Sequence, residues 1–141
     1  MPVAAHVCAT LDAAVPEGDI RTWAADLAGA MGADRFRDLD GLGVIHQVPQ
    51  TEYEILPDDL PRPPCVLRVA LQDSYYGPGY ERGRWHEIAA VLEFLRRRVP
   101  GARVWYGQDS GDIVWEVTAE FLRPGRVARL IGAGLGIGEG I

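Results

Sequence analysis

Residues 65–112 decide the fold of this chain: they read CVLRVALQ (65–72), DSYYGPGYERG (73–83), RWHEIAAVLEFLRRRVPGA (84–102), RVWY (103–106) and GQDSGD (107–112). Two short runs rich in apolar, β-branched and aromatic residues flank a longer segment with a helical period. The stretch therefore predicts a strand, a crossover helix and a second strand. A tyrosine-rich loop precedes the predicted helix, and a polar turn follows the second strand.

The segment between the two apolar runs carries the strongest helical signal. Its apolar residues recur at steps of 3, 4, 3 and 4: Trp85, Ile88, Leu92, Leu95 and Val99. This spacing forms the apolar stripe of a 3.6-residue period. We predict that the helix begins after Gly83, with Glu87 in its first turn and the arginines at 96–98 in its last, so that the charges at both ends suit the helix macrodipole. Pro100 predicts its end.

The two apolar runs also predict where a functional site lies. If both form strands that run parallel in one sheet, their C-terminal ends lie at the same edge. The loop at 73–83 and the turn at 107–112 are then neighbours, beside the N-terminus of the predicted helix. We expect any binding or catalytic site at that edge.

The rest of the chain predicts further strands and helices. Strands are expected at 4–11, at 43–48 and at 113–121, the second with an irregular continuation through Tyr53 and Ile55; helices are expected at 17–31 and 126–131. The order β, α, β, β, α, β, β, short α predicts a single α+β domain over residues 1–131, with a mixed or antiparallel sheet packed by two amphipathic helices and a Gly-rich tail over 132–141. Its first six elements match a ferredoxin-like order, and an α+β sandwich of another order is the alternative.

Two of these elements have a clear apolar face. In the first helix that face is formed by Ile20, Trp23, Ala24, Leu27 and Met31. Asp19 is the expected capping residue of this helix, and Gly32 is expected to end it. In the last strand the alternating residues expected on one face are Ile113, Trp115, Val117, Ala119 and Phe121. The turn before that strand predicts a hairpin with 103–106.

Composition and charge narrow the class of protein. The chain has 141 residues, 48% of them hydrophobic and 24% charged, which is typical of a globular protein. Its net charge of −6 argues against binding to nucleic acid or to an anionic membrane surface. The N-terminal residues lack the basic region of a signal peptide, and no apolar run approaches the length of a membrane span. We therefore expect a soluble, cytoplasmic protein.

The two cysteines predict no disulfide framework and no metal site. Cys8 and Cys65 are far apart in sequence and lack metal-ligand spacing. We expect two buried free thiols in neighbouring strands.

Residues with recognition chemistry crowd the central loop and the start of the second helix: Asp73, Ser74, Tyr75, Tyr76, Tyr80, Arg82, Arg84 and His86. Tyrosine and arginine side chains are enriched where proteins bind one another. Two arginines at a helix start also suit a phosphate or carboxylate ligand. The alternative is a purely structural loop, in which the tyrosines pack over the sheet end and the arginines pair with nearby carboxylates.

The polar turn adds Gln108, Asp109 and Asp112 to this candidate site. The triplet Gln-Asp-Ser occurs twice, at 72–74 and at 108–110, after each of the two apolar runs. Carboxylates brought together there would suit a metal ion or a shared proton. Turns are, however, rich in Asp, Ser and Gly for conformational reasons alone, and we favour that interpretation.

Other motifs do not predict a catalytic or cofactor site. His6, His46 and His86 lack the spacing of metal ligands, so no metal is expected. No GxSxG elbow supports a catalytic set of Ser74 or Ser110 with His86 and Asp109, and the glycines of the tail do not form a dinucleotide motif. No cofactor is therefore expected.

These observations favour a non-enzymatic, acidic protein-binding module that docks through the 73–86 loop and the 107–112 turn. An inhibitor or immunity-like protein, or a subunit of a larger assembly, fits this description. Its partner is expected to be another protein, for which a basic surface would suit the charge, or further copies of the chain. The alternative is a small-molecule or phosphate-ester binding protein or hydrolase at the same edge, with Arg82 and Arg84 holding an anion.

Overall fold

A computed structural model describes residues 5–36, 43–71, 81–108 and 113–123. Its strands are β1 (Ala5–Leu11), β2 (Ile45–Gln47), β3 (Cys65–Val69), β4 (Arg103–Gln108) and β5 (Ile113–Val117). Its α-helices are α1 (Glu17–Met31) and α2 (Glu81–Arg98), and short 3₁₀ helices span Ala33–Arg35 and Gln50–Ile55. The predicted helix at 126–131 and the Gly-rich tail lie outside the described residues.

The described strands form one sheet in the order β2-β3-β1-β4-β5. Every neighbouring pair is antiparallel. The predicted α+β class with an antiparallel sheet is therefore confirmed, and β4 pairs with β5 as the predicted hairpin requires. A register shift between Tyr106 and Gly107 interrupts this last pairing.

Both α-helices pack on one face of the sheet. The core between them joins apolar residues of α1 and α2 to inward residues of the strands; its most deeply buried members include Leu27, Leu67, Leu92, Leu95 and Tyr106. The alternation along β3 shows the division: Cys65, Leu67 and Val69 join this core, whereas Val66 belongs to a second cluster on the opposite face. That second cluster is covered by residues in and beside the 3₁₀ helix Gln50–Ile55.

The first helix spans the predicted residues but begins differently. Ile20, Ala24 and Leu27 are buried, and Trp23 and Met31 pack partly against the core. The cap prediction for Asp19 was wrong: Pro16 is the N-cap residue and makes no side-chain cap hydrogen bond, while Asp19 lies in the first turn. Gly32 ends the helix with a φ of 95°, a backbone conformation that glycine adopts without steric cost.

The second helix begins earlier than predicted. It starts at Glu81, so Gly83 lies within it and Glu87 is beyond its first turn. An acidic residue at the first position suits the positive end of the helix macrodipole. A glycine costs a helix about 1 kcal/mol relative to alanine, which the buried stripe of Ile88, Leu92 and Leu95 offsets. The arginines at 96–98 occupy the last turn, as predicted.

Two predicted strands are shorter in the structure. β2 is regular over Ile45–Gln47, although the Val44 carbonyl accepts a hydrogen bond from the Ala70 amide and the Val48 amide donates to the Val66 carbonyl. Pro49 then precedes a 3₁₀ helix, so the predicted irregular continuation through Tyr53 and Ile55 was wrong.

β5 ends at Val117, and the expected alternation through Ala119 and Phe121 was wrong. Ala119 is exposed in a turn. Phe121 still reaches the core, because the turn brings its ring against Tyr106 and Trp115, and its amide donates to the Thr118 hydroxyl.

Candidate functional site

The C-terminal ends of β3 and β4 lie at the same edge of the sheet. Both strands pair antiparallel with β1, which lies between them, so they run in the same direction. Val69, at the end of β3, is opposite Val7, and Gln108, at the end of β4, is opposite Ala5. Residues 72–80 and 109–112 therefore follow strands that end beside the start of β1. We call this edge the β1-start edge.

Helix α2 begins on the side of the β1-start edge. Its 18 residues correspond to a length of about 27 Å, enough to run along the full length of a strand. Pro100 and Gly101, just beyond its end, line a cleft with Leu11 at the other end of β1. The first turns of α2 therefore lie far from that cleft, on the side of the β1-start edge.

The predicted site residues divide into two groups. The backbone of Arg82, Arg84 and His86 lies in the first turns of α2, and Gln108 is the last residue of β4. The backbone geometry therefore brings these positions to one side of the molecule. The remaining predicted residues lie outside the described part of the chain: Asp73, Ser74, Tyr75, Tyr76, Tyr80, Asp109, Ser110 and Asp112. Contact between the two Gln-Asp-Ser triplets stays a prediction.

A row of side chains that the sequence pattern does not reveal crosses the sheet on the face opposite the α-helices, with polar residues at one end and buried residues of the second cluster at the other. Residues directly opposite one another in an antiparallel pair present their side chains on the same face. His46 is opposite Arg68, Arg68 is opposite Cys8, and Cys8 is opposite Trp105. The row therefore runs across four strands of the sheet. We call this side of the sheet the helix-free face, since neither α1 nor α2 packs on it, although the 3₁₀ helix Gln50–Ile55 covers part of it.

Within this row, Arg68 is held by a histidine of the neighbouring strand. Its guanidinium Nη2 donates to Nδ1 of His6 over 2.8 Å, and both side chains are partly buried. Because a guanidinium has no acceptor atom, this hydrogen bond requires His6 Nδ1 to carry its lone pair. A neutral His6 therefore carries its proton on Nε2. The contact fixes both the position of the guanidinium and the tautomer of the imidazole.

The thiol beside Arg68 is not a nucleophile. Cys8 is fully buried, and burial raises the pKa of its thiol to about 12, although the Arg68 charge acts in the opposite direction. A thiol needs its thiolate form to attack a substrate or bind a metal. Cys65 is also buried and free, and burial raises its pKa as well. The prediction of two buried free thiols in neighbouring strands is confirmed.

A groove of about 650 Å³ lies between α1 and the strand β2. Its lining mixes charged, polar and apolar side chains: Glu17, Ile20, Arg21, Ala24, Ile45, His46 and Gln47. Arg21 and Glu17 already form an ion pair of 2.9 Å in this groove, and both are well exposed. Such a lining differs from the predominantly apolar pocket that usually holds a cofactor. Within the described ranges, no three metal-ligating side chains converge anywhere.

One sequence signal pointed to Arg68. An arginine at the fourth position of CVLRV interrupts an apolar strand that is buried on both sides. Charged residues are seldom placed in such a strand without a partner. The partner itself, His6, is 62 residues away in sequence, so only the strand order and register reveal it.

No protein-family model, no curated protein and no solved structure matches this chain. In the part of the chain that the structure describes, neither α-helix is long and apolar enough to cross a bilayer. The function is therefore inferred from the geometry and chemistry of the chain's own residues.

Proposed function

We propose that this chain is a non-enzymatic, acidic, cytoplasmic protein-binding module that docks its partner at the β1-start edge. The observation that supports this proposal is the shared direction of β3 and β4 on either side of β1. It places the ends of both strands, and hence the points from which residues 72–80 and 109–112 continue, at one edge. The module that we propose is an inhibitor or immunity-like protein or a subunit of a larger assembly.

The wider fold that we propose is a ferredoxin-like unit extended by β5. Four strands lie in the spatial order β2-β3-β1-β4 with antiparallel neighbours. Helix α1 connects β1 to β2 and helix α2 connects β3 to β4, and both helices pack on the same face of the sheet. This arrangement supports the proposed fold. In such a unit both crossover helices cover one face, and the strand ends alternate between two edges. The β1-start edge is one of these two edges.

The proposed docking surface combines residues that precede or begin α2 with residues of the segment 109–112, which follows β4. Tyr76 and Tyr80 supply rigid aromatic area with a polar tip, which contributes strongly to protein interfaces when buried. Arg82 adds a planar donor group suited to carboxylates of a partner. Asp109 and Asp112 add negative charge on the other segment. With a net charge of −6, the chain suits a basic protein partner or copies of itself that pair these groups reciprocally.

A triple substitution tests the docking surface. The variant Tyr76→Ala/Tyr80→Ala/Arg82→Ala removes the aromatic and cationic groups of the proposed surface. Immobilised wild-type and variant protein are exposed to lysate of the native cell, and retained complexes are measured by native mass spectrometry. We expect a stoichiometric complex with the wild type and at least a roughly hundredfold weaker complex with the variant, because interface anchors of these residue types cost about 2 kcal/mol or more each.

A matched control uses the opposite edge of the sheet. Asp12 follows the end of β1 and Arg62 precedes the start of β3, and both are exposed. The variant Asp12→Ala/Arg62→Ala should retain the complex. Equal retention by the folded triple variant and by the control would exclude the β1-start edge as the docking surface.

A further inference from the structure

We propose that Arg68 is the centre of an oxyanion-binding site on the helix-free face of the sheet, which takes a ligand carrying a carboxylate or phosphate group. This site is distinct from the docking residues of segments 72–80 and 109–112. It does not depend on the proposed docking function. It also differs from the small-molecule alternative at the edge of the sheet, which relies on Arg82 and Arg84.

The position of Arg68 in the sheet is the first support for this site. β3 is an inner strand, with β2 on one side and β1 on the other. Arg68 therefore has a directly opposite residue on each neighbouring strand, His46 on β2 and Cys8 on β1. It keeps partial exposure although the apolar residues on either side of it in β3 are buried. Arg68 is therefore held in the sheet between buried neighbours while part of the residue stays in contact with solvent.

The geometry of the guanidinium is the second support. One Nη2–H bond is directed at His6 Nδ1, which holds the planar group in place. A guanidinium has five N–H donors, and among the described residues only His6 accepts one from Arg68, so the others can donate to oxygen atoms of a ligand. Planar donors fixed in this way match two oxygens of a carboxylate or phosphate. Because His6 already orients the group, less side-chain entropy is lost when the ligand binds.

The charge around Arg68 is the third support. Among the described residues, the arginines at positions 21, 96, 97, 98, 103 and 123 form ion pairs with carboxylates, whereas Arg68 is hydrogen-bonded to His6. The residues directly opposite Arg68 and its hydrogen-bond partner are two histidines and a cysteine, whose thiol has a pKa of about 12 and is neutral at pH 7. A partly desolvated cation is stabilised by an anion brought against it. An oxyanion therefore gains both hydrogen bonds and charge compensation at this position.

Thermal unfolding with defined anions tests the site. Sodium phosphate and sodium acetate are titrated separately against the full chain, and sodium chloride at matched ionic strength is the reference for screening. We expect a saturable rise in Tm with phosphate or acetate above the chloride reference, because a ligand that binds the native state stabilises it. The two titrations distinguish a phosphate-bearing from a carboxylate-bearing ligand.

Three variants assign this effect to Arg68. Arg68→Gln removes the charge and should weaken anion binding at least roughly tenfold, whereas Arg68→Lys keeps the charge without the planar fork and should fall between it and wild type. Arg62→Gln removes the same charge from an exposed position and should bind within about twofold of wild type, since exposed charges contribute little.

Nuclear magnetic resonance of the wild-type protein provides a readout that needs no variant to fold. The side-chain signals of Arg68 and His6 should shift saturably with phosphate or acetate and stay constant with chloride. Three results would overturn the proposal: equal effects of chloride and both oxyanions, undiminished anion binding by folded Arg68→Gln, or constant Arg68 and His6 signals at saturating anion.

Discussion

The two faces of the sheet differ in what they bury. The face under α1 and α2 carries the main hydrophobic core, and its largest fully buried side chains include Tyr106, Leu27 and Leu92. The helix-free face combines a small apolar cluster around Cys8 and Trp105 with the hydrogen-bonded groups Arg68 and His6. The first face supplies most of the apolar burial that stabilises the fold, whereas the second holds polar groups in fixed positions.

The largest expected effect compares a buried leucine from each face. Leu92 of α2 is 0% exposed in the main core, and Leu56 is 5% exposed in the second cluster. We expect Leu92→Ala to lower the free energy of unfolding by roughly 4–5 kcal/mol, because the rigid sheet and both helices leave a cavity. Leu56→Ala should cost only about 2–3 kcal/mol, because the short segment around it can move inward.

Urea unfolding of both variants, followed by tryptophan fluorescence, measures this difference. Equal losses would mean that the 3₁₀ segment packs as rigidly as the helices. A larger loss for Leu56→Ala would contradict the assignment of the main core to the face under the helices.

A smaller effect is expected at the buried hydrogen bond of the helix-free face. Trp105 Nε1 donates to the Thr10 hydroxyl over 3.0 Å, and both residues are nearly inaccessible. Thr10→Val keeps the side-chain shape but leaves the indole N–H without its acceptor, which should cost roughly 1–3 kcal/mol.

A double-mutant cycle separates this hydrogen bond from packing. Trp105→Phe also removes the donor, so adding Thr10→Val to it should cost less than Thr10→Val alone. The measurement is the free energy of unfolding of the two single variants and the double variant. Strictly additive losses would show that the hydrogen bond does not couple the two residues.

The smallest expected effect concerns the cross-strand pair of Arg103 and Glu116. Two hydrogen bonds, of 3.0 and 2.8 Å, join Arg103 to the carboxylate, and the hydrogen bonds from Arg103 lower the pKa of Glu116 below its ordinary value of 4.5. Because both side chains are more than a third exposed, we expect Glu116→Gln to cost only about 0.2–1 kcal/mol at pH 7.

The pH dependence of this loss has a definite sign. The folded pKa of Glu116 is depressed, so its contribution is present above the unfolded value near 4.5 and is lost as the pH falls through the lower folded value. The stability difference between wild type and Glu116→Gln should therefore shrink in acid and in high salt. Glu54→Gln, at an exposed position, is the control. A difference that stays constant between pH 7 and pH 3 would contradict the ion-pair account.

The spacing of apolar residues predicted which side of each α-helix is buried more accurately than it predicted where the helices and strands begin and end. The 3.6-residue spacing identified the buried side of α1 and α2, because burial against a sheet requires one continuous apolar stripe. The start of α2 was missed because Gly83 was taken as a break, although the buried apolar stripe that follows offsets the cost of about 1 kcal/mol of a glycine in the helix. β5 was extended too far because Phe121 continues the alternation of the strand while reaching the core through a turn.

The local sequence pattern indicates the β1-start edge but not the pair of Arg68 and His6. The edge depends on the shared direction of β3 and β4, the strands before and after α2. A local sequence pattern of strand, helix and strand can indicate that shared direction. The pair depends on which strand lies beside β3 and in what register, and residues 62 positions apart give no local signal of that.

Cross-strand nuclear Overhauser effects test the central claim most directly, because both proposed sites depend on β1 lying between β3 and β4. The account predicts contacts from the Val7 backbone to Val69 on one side and to Tyr106 on the other. β3 and β4 are then about 9–10 Å apart, too far for backbone contacts between them. Direct backbone contacts between β3 and β4 would contradict the strand order and remove the shared edge.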